Sequence, residues 1–442
     1  MLTAIILVFT VGYLAIAFEH PLRLNKTATA MLMGTVCWAL YAIGAESLVP
    51  PGAIPAEFQG EAHPAIHYLV EGQLLSLTGE IAGILFFLMG AMTIVEMIDA
   101  NEGFSILTRQ IRSRNKSTLL WLVGFITFFL SSVLDNLTTT IVMVSLLRKL
   151  LGNSRDRMIF AGLVVIAANA GGAWTVIGDV TTTMLWIKGK ISTVPVMADL
   201  FLASLACLIV PLVGMSFVVK GTIDPQPEKE DNPAALVNPK LKMLFLVLGL
   251  AGLLSVPVFK ATTHLPPYMG MILSLSVLWM VSELVHARSD ETLRTSTGLM
   301  TLLKRIDMSS VLFFLGILLA VGCLGSVGVL RNLAHQLDAV IGNRDLIAVV
   351  IGFVSAVVDN VPLVAAGIEM YQDPMNARFW MLLAYCAGTG GSCLIIGSAA
   401  GVAAMGMERI DFLWYLKHIS LWAALGYLAG AGVFFLQASL TT

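Results

Sequence analysis

Apolar residues run along this chain in blocks as long as a bilayer core requires, roughly 20 residues of helix, parted by short polar or charged stretches. Blocks of that kind fall at about 2–18, 28–46, 80–98, 158–187, 196–220, 242–260, 267–286, 307–330, 377–404 and 412–437. The blocks at 158–187 and 377–404 are longer than one span and are interrupted by glycines. Two further apolar stretches, 118–147 and 346–370, break near their middles at Asp135-Asn136 and Asp359-Asn360. An Asp-Asn pair followed by hydroxyls or proline is turn chemistry. The pattern therefore predicts two re-entrant helical hairpins that enter the membrane, turn inside it and leave on the same side. Such a turn persists only where protein or a wet cavity covers its backbone. The fold class this predicts is an all-α integral membrane protein.

The blocks repeat. ILFFLMGAMTIVEMI from Ile84 is echoed by VLFFLGILLAVGCLG from Val311, SSVLDN at 131–136 by SAVVDN at 355–360, and NAGGAWTVIGD at 169–179 by GTGGSCLIIGS at 388–398. Three matches in one order, at a nearly constant separation of about 220 residues, are the mark of a duplicated unit. The expected organisation is a first repeat over 1–220 with its hairpin at about 118–147, a cytoplasmic linker over 221–241, and a second repeat over 242–442 with its hairpin at about 346–370. Each repeat has about five transmembrane helices plus one hairpin. An odd number of crossings turns the second copy upside down, so the two repeats have inverted topology.

Charge placement gives an independent orientation, since Lys and Arg favour cytoplasmic loops. An external N-terminus puts most of the 26 basic residues inside, among them Arg23, Lys26, Arg109, Arg112, Arg114, Lys116, Arg148, Lys149, Arg155, Arg157, Lys240, Lys242, Arg288, Arg294, Lys304 and Arg305. The loop at 47–79 holds no Lys or Arg and suits the outside. Both termini are then periplasmic, the first hairpin opens to the cytoplasm and the second to the periplasm. The first block lacks a basic n-region and a small-residue cleavage site, so it reads as a retained helix rather than a signal peptide.

Composition sharpens this picture by exclusion. Of the 442 residues 57% are hydrophobic and 12% charged, where a soluble domain carries about a quarter charged. With a mean hydropathy of +0.86, the chain is no water-soluble enzyme, disordered polymer or nucleic-acid binder, and its partner is the lipid bilayer. The five cysteines sit in apolar stretches with no CxxC spacing, so they read as packing residues. No Walker A motif is present, which argues against an ATP-driven pump.

Inverted repeats, broken helices and polar groups at the midplane are the recurring construction of secondary transporters. Asp135 and Asp359 are ionisable groups at membrane depth, each costing roughly 2.5–3.5 kcal/mol on insertion scales, and a bound cation or proton offsets that cost. Asn136 and Asn360 add carbonyl oxygens, and Ser131, Ser132, Thr138, Thr139 and Ser355 add hydroxyls. Hard oxygens of this kind suit Na⁺. The plainer alternative is an Asp-Asn turn that caps the outgoing half-helix, which is compatible with ion binding. The glycine-broken helix of the first repeat carries Asn169, Gly171-Gly172, Thr175, Gly178, Asp179 and Thr181–Thr183. Its counterpart carries Thr389, Gly390-Gly391, Ser392, Gly397 and Ser398. Glycines either let the backbone unwind toward an ion or pack helices closely. Asp179, with Trp186 and Lys188 soon after, is expected near the outer interface. Glu80 and Glu96, flanking the third helix, and Asp307 read as helix-end acids, and His63 with His67 lacks a third metal ligand.

These residues resemble the NhaD-type Na⁺/H⁺ antiporters of bacteria, through SSVLDNLTTTIVM, NAGGAWTVIGDVTTTM and SAVVDNVP, over nearly the whole length. The resemblance implies exchange of Na⁺, and of Li⁺, for H⁺ in a bacterial inner membrane, with importance in alkaline or saline conditions and no cofactor. It assigns transport roles to Asp135 and Asn136, Asn169, Asp179 with Thr181 and Thr182, and Ser355 and Asn360. The wider group, which includes arsenite and divalent-anion carriers, implies two inverted repeats with hairpins and a homodimer with a scaffold half and a moving half.

Taken together, the expected activity is secondary antiport, with cation and proton competing at midplane carboxylates. The Na⁺ ligands expected are Asp135, Asn136, Asn169, Asp359 and Asn360. Asp135, Asp359, Asp179, Thr181, Thr182, Ser355 and Ser392 form the transport path. The alternative is a Na⁺-coupled anion or arsenite carrier of the same fold, which the aspartate at each hairpin tip disfavours because it repels an anion. A membrane enzyme is a remote third reading, since no histidine neighbours a Ser or Cys nucleophile in the motifs.

Overall fold

Short polar side chains set where the helices begin. Asn25, Asn115, Asn153 and Asn238 each accept hydrogen bonds from backbone N–H groups in the first turn that follows, and Asp135, Asp179, Asp307 and Asp411 do the same. Those N–H groups have no partner inside the helix, and each cap of this type stabilises by about 1 kcal/mol. The computed structural model describes all residues except 18, 61, 109–112, 114, 224–237, 288–297 and 442. Arg109, Arg112, Arg114, Arg288 and Arg294, and most of the linker expected at 221–241, lie outside the described residues.

The described chain is helical, and its main helices in order are α1 (Leu2–Ala17), α2 (Lys26–Ile43), α3 (Leu75–Ala100), α4 (Lys116–Ser131), α5 (Asn136–Leu150), α6 (Ser154–Ala173), α7 (Val180–Ile187), α8 (Thr193–Val218) and α9 (Pro239–Thr263). There follow α10 (Pro267–His286), α11 (Met308–Ser326), α12 (Val329–Ile341), α13 (Arg344–Val354), α14 (Asn360–Met370), α15 (Arg378–Gly390), α16 (Ala399–Glu408), α17 (Phe412–His418) and α18 (Ser420–Thr441). Among the described residues, seven helical stretches are long and apolar enough to cross a membrane: Pro64–Ala100, Ser154–Ala173, Thr193–Val218, Pro239–Thr263, Pro267–His286, Met308–Ser326 and Ser420–Leu440.

Several differences from the sequence reading have local causes. The blocks at 158–187 and 377–404 each resolve into two helices, α6 with α7 and α15 with α16, parted by non-helical glycine-containing segments. The block at 2–18 gives a helix of 16 residues. The expected outer loop at 47–79 is helical from Pro64 onward, with a π-helical turn at Tyr68–Leu74 leading into α3. Glu80 and Glu96 therefore lie inside α3 rather than at its flanks. Tyr68, Glu71 and Gln73 dilute the hydropathy there without breaking a helix. The amphipathic helix α12, set between Gly328 at φ 77° and Gly342 at φ 67°, had no place in the block pattern because its apolar residues are spaced rather than contiguous.

The described residues form two compact units, which do not follow the halves of the chain. In the first (1–88, 307–344 and 361–372), α2 packs on α11 through glycine. A Cβ at Gly34 would stand 2.6 Å from the Gly316 carbonyl oxygen, so only glycine admits this approach. Around it, Trp38 donates to the Leu319 carbonyl at 2.8 Å and Thr27 to the Ser309 carbonyl at 2.9 Å. In the second (89–306, 345–360 and 373–442), the centre is built from α6 and α15, buried all round from Phe160 to Ala173 and from Phe379 to Gly390. A helix apolar on every side belongs in an interior. α5, α8 and α16 pack against α6, and α18 packs against α8 and α15. All five cysteines are free and buried.

Candidate functional site

The four breaks in the helices are where polar chemistry gathers. α4 ends at Ser131 and α5 starts at Asn136 after a short turn, with Asp135 as its N-cap. One Asp135 carboxylate oxygen accepts the Thr138 N–H at 2.9 Å and the other the Thr138 hydroxyl at 2.6 Å. A carboxylate offers about four lone-pair sites, so Asp135, half-buried, retains capacity for a further partner. The capping reading of the Asp-Asn turn holds here, alongside whatever else the residue does.

Asn136, next along the chain, is buried at 5% exposure. Its amide nitrogen donates to Asn169 Oδ1 at 2.9 Å and to Asp179 Oδ2 at 2.8 Å. Asn169, fully buried in the wall of α6, donates in turn to the Ser392 hydroxyl at 2.8 Å and the Ser398 hydroxyl at 2.9 Å. Asp179 caps α7, its Oδ1 accepting the Thr181 N–H at 2.8 Å and the Thr181 hydroxyl at 2.6 Å. One buried network thus joins the turn between α4 and α5, α6, the start of α7 and the break between α15 and α16. Asp179, expected near the outer interface, is 1% exposed and bonded to Asn136.

Asp135 and Asp359 both lie within electrostatic reach of Asp179. Asp359 is half-buried at the second turn, and Asn360, 4% exposed, opens α14. Ser355 is fully buried and donates to the Gly352 carbonyl at 2.7 Å and the Ala387 carbonyl at 3.2 Å. Its hydroxyl is therefore engaged by backbone rather than by the Asn169 network. The Thr139, Thr140 and Thr182 hydroxyls are buried and find no hydrogen-bond partner. Native structures rarely leave buried hydroxyls unmatched without a reason.

The glycines serve close backbone contact. A Cβ at Gly171 would stand 2.1 Å from the Phe128 carbonyl oxygen, and one at Gly390 2.0 Å from that of Gly352. Gly178 meets the Ser131 carbonyl and Gly397 the Ser355 carbonyl in the same fashion, at 2.4 and 2.7 Å from the added Cβ. Ser131 donates to the Ala168 carbonyl at 2.6 Å as Ser355 does to that of Ala387. Packing therefore requires these glycines, while Gly178 and Gly397 also lie in the unwound segments between α6 and α7 and between α15 and α16.

Two residues of the network were not singled out as site residues. Ser398 caps α16 as Asp179 caps α7. Tyr415, fully buried, donates to the Ser392 carbonyl at 2.9 Å. Its signal was absent from the motifs, because it lies beyond them in sequence.

The chain is similar to known transporters over most of its length. A family model described as citrate transporter matches residues 13–375. The chain is 50% identical to sodium/proton antiporter 1 of Arabidopsis thaliana over 98% of this chain and 72% of that protein. It is 47% identical to sodium/proton antiporter 2 of the same plant, over 96% of this chain and 97% of that one. It is 32% identical to the Na⁺/H⁺ antiporter NhaD of Vibrio cholerae, over 94% of this chain and 87% of that protein.

Proposed function

The chain belongs to the citrate-transporter family and to the NhaD-type Na⁺/H⁺ antiporters, and from that premise we propose that it exchanges cytoplasmic Na⁺ for external H⁺ at one buried set of oxygens. It is a multi-pass membrane protein. The observation that carries the reading is the amide of Asn136, which ties Asp179 and Asn169 into a single network beside Asp135. Neutral amide and hydroxyl oxygens with carboxylates are the donor set a hard monovalent cation requires.

In this reading Asp135, Asn136, Asn169, Asp359 and Asn360 contribute ligands to Na⁺, or to Li⁺. Asp179, Thr181, Thr182, Ser355 and Ser392 line the path or hold its geometry. Protonation of the carboxylates removes the charge that retains the cation, so proton loading expels Na⁺. Alternating exposure of this one site to the two sides then couples the ions.

The architecture we propose for this is a pair of inverted repeats, 1–220 and 242–442, with re-entrant hairpins at about 118–147 and 346–370 and periplasmic termini. The matched glycine–carbonyl contacts and matched serine bonds at the two broken helices support a duplicated unit. A homodimer in a bacterial inner membrane completes the proposal.

The family description favours a second reading, Na⁺-coupled uptake of a carboxylate anion. Carboxylates at the site speak against it, since like charge at close range disfavours an anion by several kcal/mol. Proteoliposomes decide between them. A Na⁺ gradient alone is expected to move protons in the opposite direction, with citrate or arsenite changing nothing. Proton flux that requires an added anion would favour the carrier.

A further inference from the structure

A second polar cluster stands away from the ion site, at the other ends of the helices that form it. Glu408 closes α16, and its side chain is only 2% exposed. One carboxylate oxygen accepts Arg148 Nε at 2.7 Å and the other accepts Arg157 Nε at 2.9 Å. Arg157 also donates to the carbonyls of Leu151 and Gly152 at 3.1 and 3.0 Å, which secures the chain just after α5. Beside it Lys116 pairs with Asp156 at 2.7 Å, joining the start of α4 to the start of α6.

The three charged residues come from three helices, and each helix carries one member of the ion-site network toward its other end. α5 bears Asn136 and Arg148, α6 bears Asn169 and Arg157, and α16 runs from its cap Ser398 to Glu408. At about 1.5 Å per residue the separations are roughly 18, 18 and 15 Å. α5, α6 and α16 also pack on one another.

Glu408 is buried while Arg148 is 49% and Arg157 24% exposed; a pair with a buried member is weak support for stability, and its best-attested use is to fix register. A slip of α16 by one residue would move Ser398 by about 1.5 Å, enough to break its bond to Asn169. We infer that Glu408, by clasping Arg148 and Arg157, is a positioning residue that sets the register of Asn136, Asn169 and Ser398 and thereby the affinity of the site for Na⁺. This rests on the reading of those residues as an ion site.

The test is the Na⁺ concentration giving half-maximal proton flux in proteoliposomes, measured for wild type, Glu408→Gln, Glu408→Asp, Arg148→Gln and Asn136→Ala. Glu408→Gln is expected to raise that concentration by about threefold to tenfold, in the range of coupling between linked sites, with a smaller change in maximal rate. Glu408→Asp, which keeps the charge, is expected to recover most of the wild-type value. If Glu408→Gln does not accumulate, Arg148→Gln carries the test with an expected rise of about twofold, in the lower part of that range. A normal half-saturating concentration in these variants, beside a raised one in Asn136→Ala, overturns the inference and leaves the ion site standing. A normal value in Asn136→Ala overturns the reading of the site itself.

Discussion

Asp179 accepts a hydrogen bond from the amide of Asn136 at 2.8 Å, although the two stand 43 positions apart in the chain. The contact places an acid from the start of α7 against the turn between α4 and α5, and the same amide reaches Asn169. Replacing Asn136 by Ala leaves a buried carboxylate oxygen and a buried amide oxygen without that donor. Each orphaned group costs about 1–3 kcal/mol. The expected result is a fall in thermal midpoint together with loss of most Na⁺-driven proton flux.

Thr182 separates a ligand from a packing residue. Its hydroxyl is buried with no partner, and an unmatched hydroxyl costs about 1–3 kcal/mol. Thr182→Val should therefore raise the thermal midpoint measured without Na⁺. If the hydroxyl serves the cation, the further rise that Na⁺ produces in wild type, by binding the folded state, should shrink in the variant. An unchanged Na⁺ response would make Thr182 a packing residue only.

Glycine at 171 and 390 answers to backbone, not to a side chain that can move. Gly171→Ala and Gly390→Ala should reduce the folded protein recovered from membranes by an overpacking cost of about 1–3 kcal/mol or more. Gly406→Ala and Gly432→Ala, where an added Cβ meets nothing within 4 Å, serve as controls and should accumulate normally.

Much of this site was legible because its turn chemistry occurs twice in the sequence, at Asp135-Asn136 and Asp359-Asn360 and at the two glycine pairs. The two Asp-Asn turns, the two glycine pairs and Asn169 were evident in the sequence, though not the burial of Asn169, and the helix breaks fall where the turn chemistry put them. The partners were less legible. Nothing in a string says that Asn136 reaches Asp179, or that Ser398 rather than Ser355 meets Asn169, because those choices depend on how four breaks converge. Glu408 escaped notice for the same reason, as a lone acid at a helix end whose arginines stand in the other half of the chain. The helix before α3 was missed because hydropathy, and not helix propensity, set the expected boundary.

Competition also fixes a sign against pH. Below the range where the carboxylates ionise, protons occupy the oxygens that Na⁺ needs. The half-saturating Na⁺ concentration should then rise about tenfold for each unit of acidification if one proton is exchanged per site, by linkage. At higher pH it should level off. A half-saturating concentration independent of pH across the active range would separate the proton from the cation site.

The most direct measurement is proton release on adding Na⁺ to the purified protein in weakly buffered detergent solution, with no membrane and no gradient. Na⁺ or Li⁺ is expected to release protons from wild type, and Asp135→Asn to release fewer or none although it remains folded. Na⁺ binding to wild type without any proton release, at every pH tested, would contradict competition at these carboxylates.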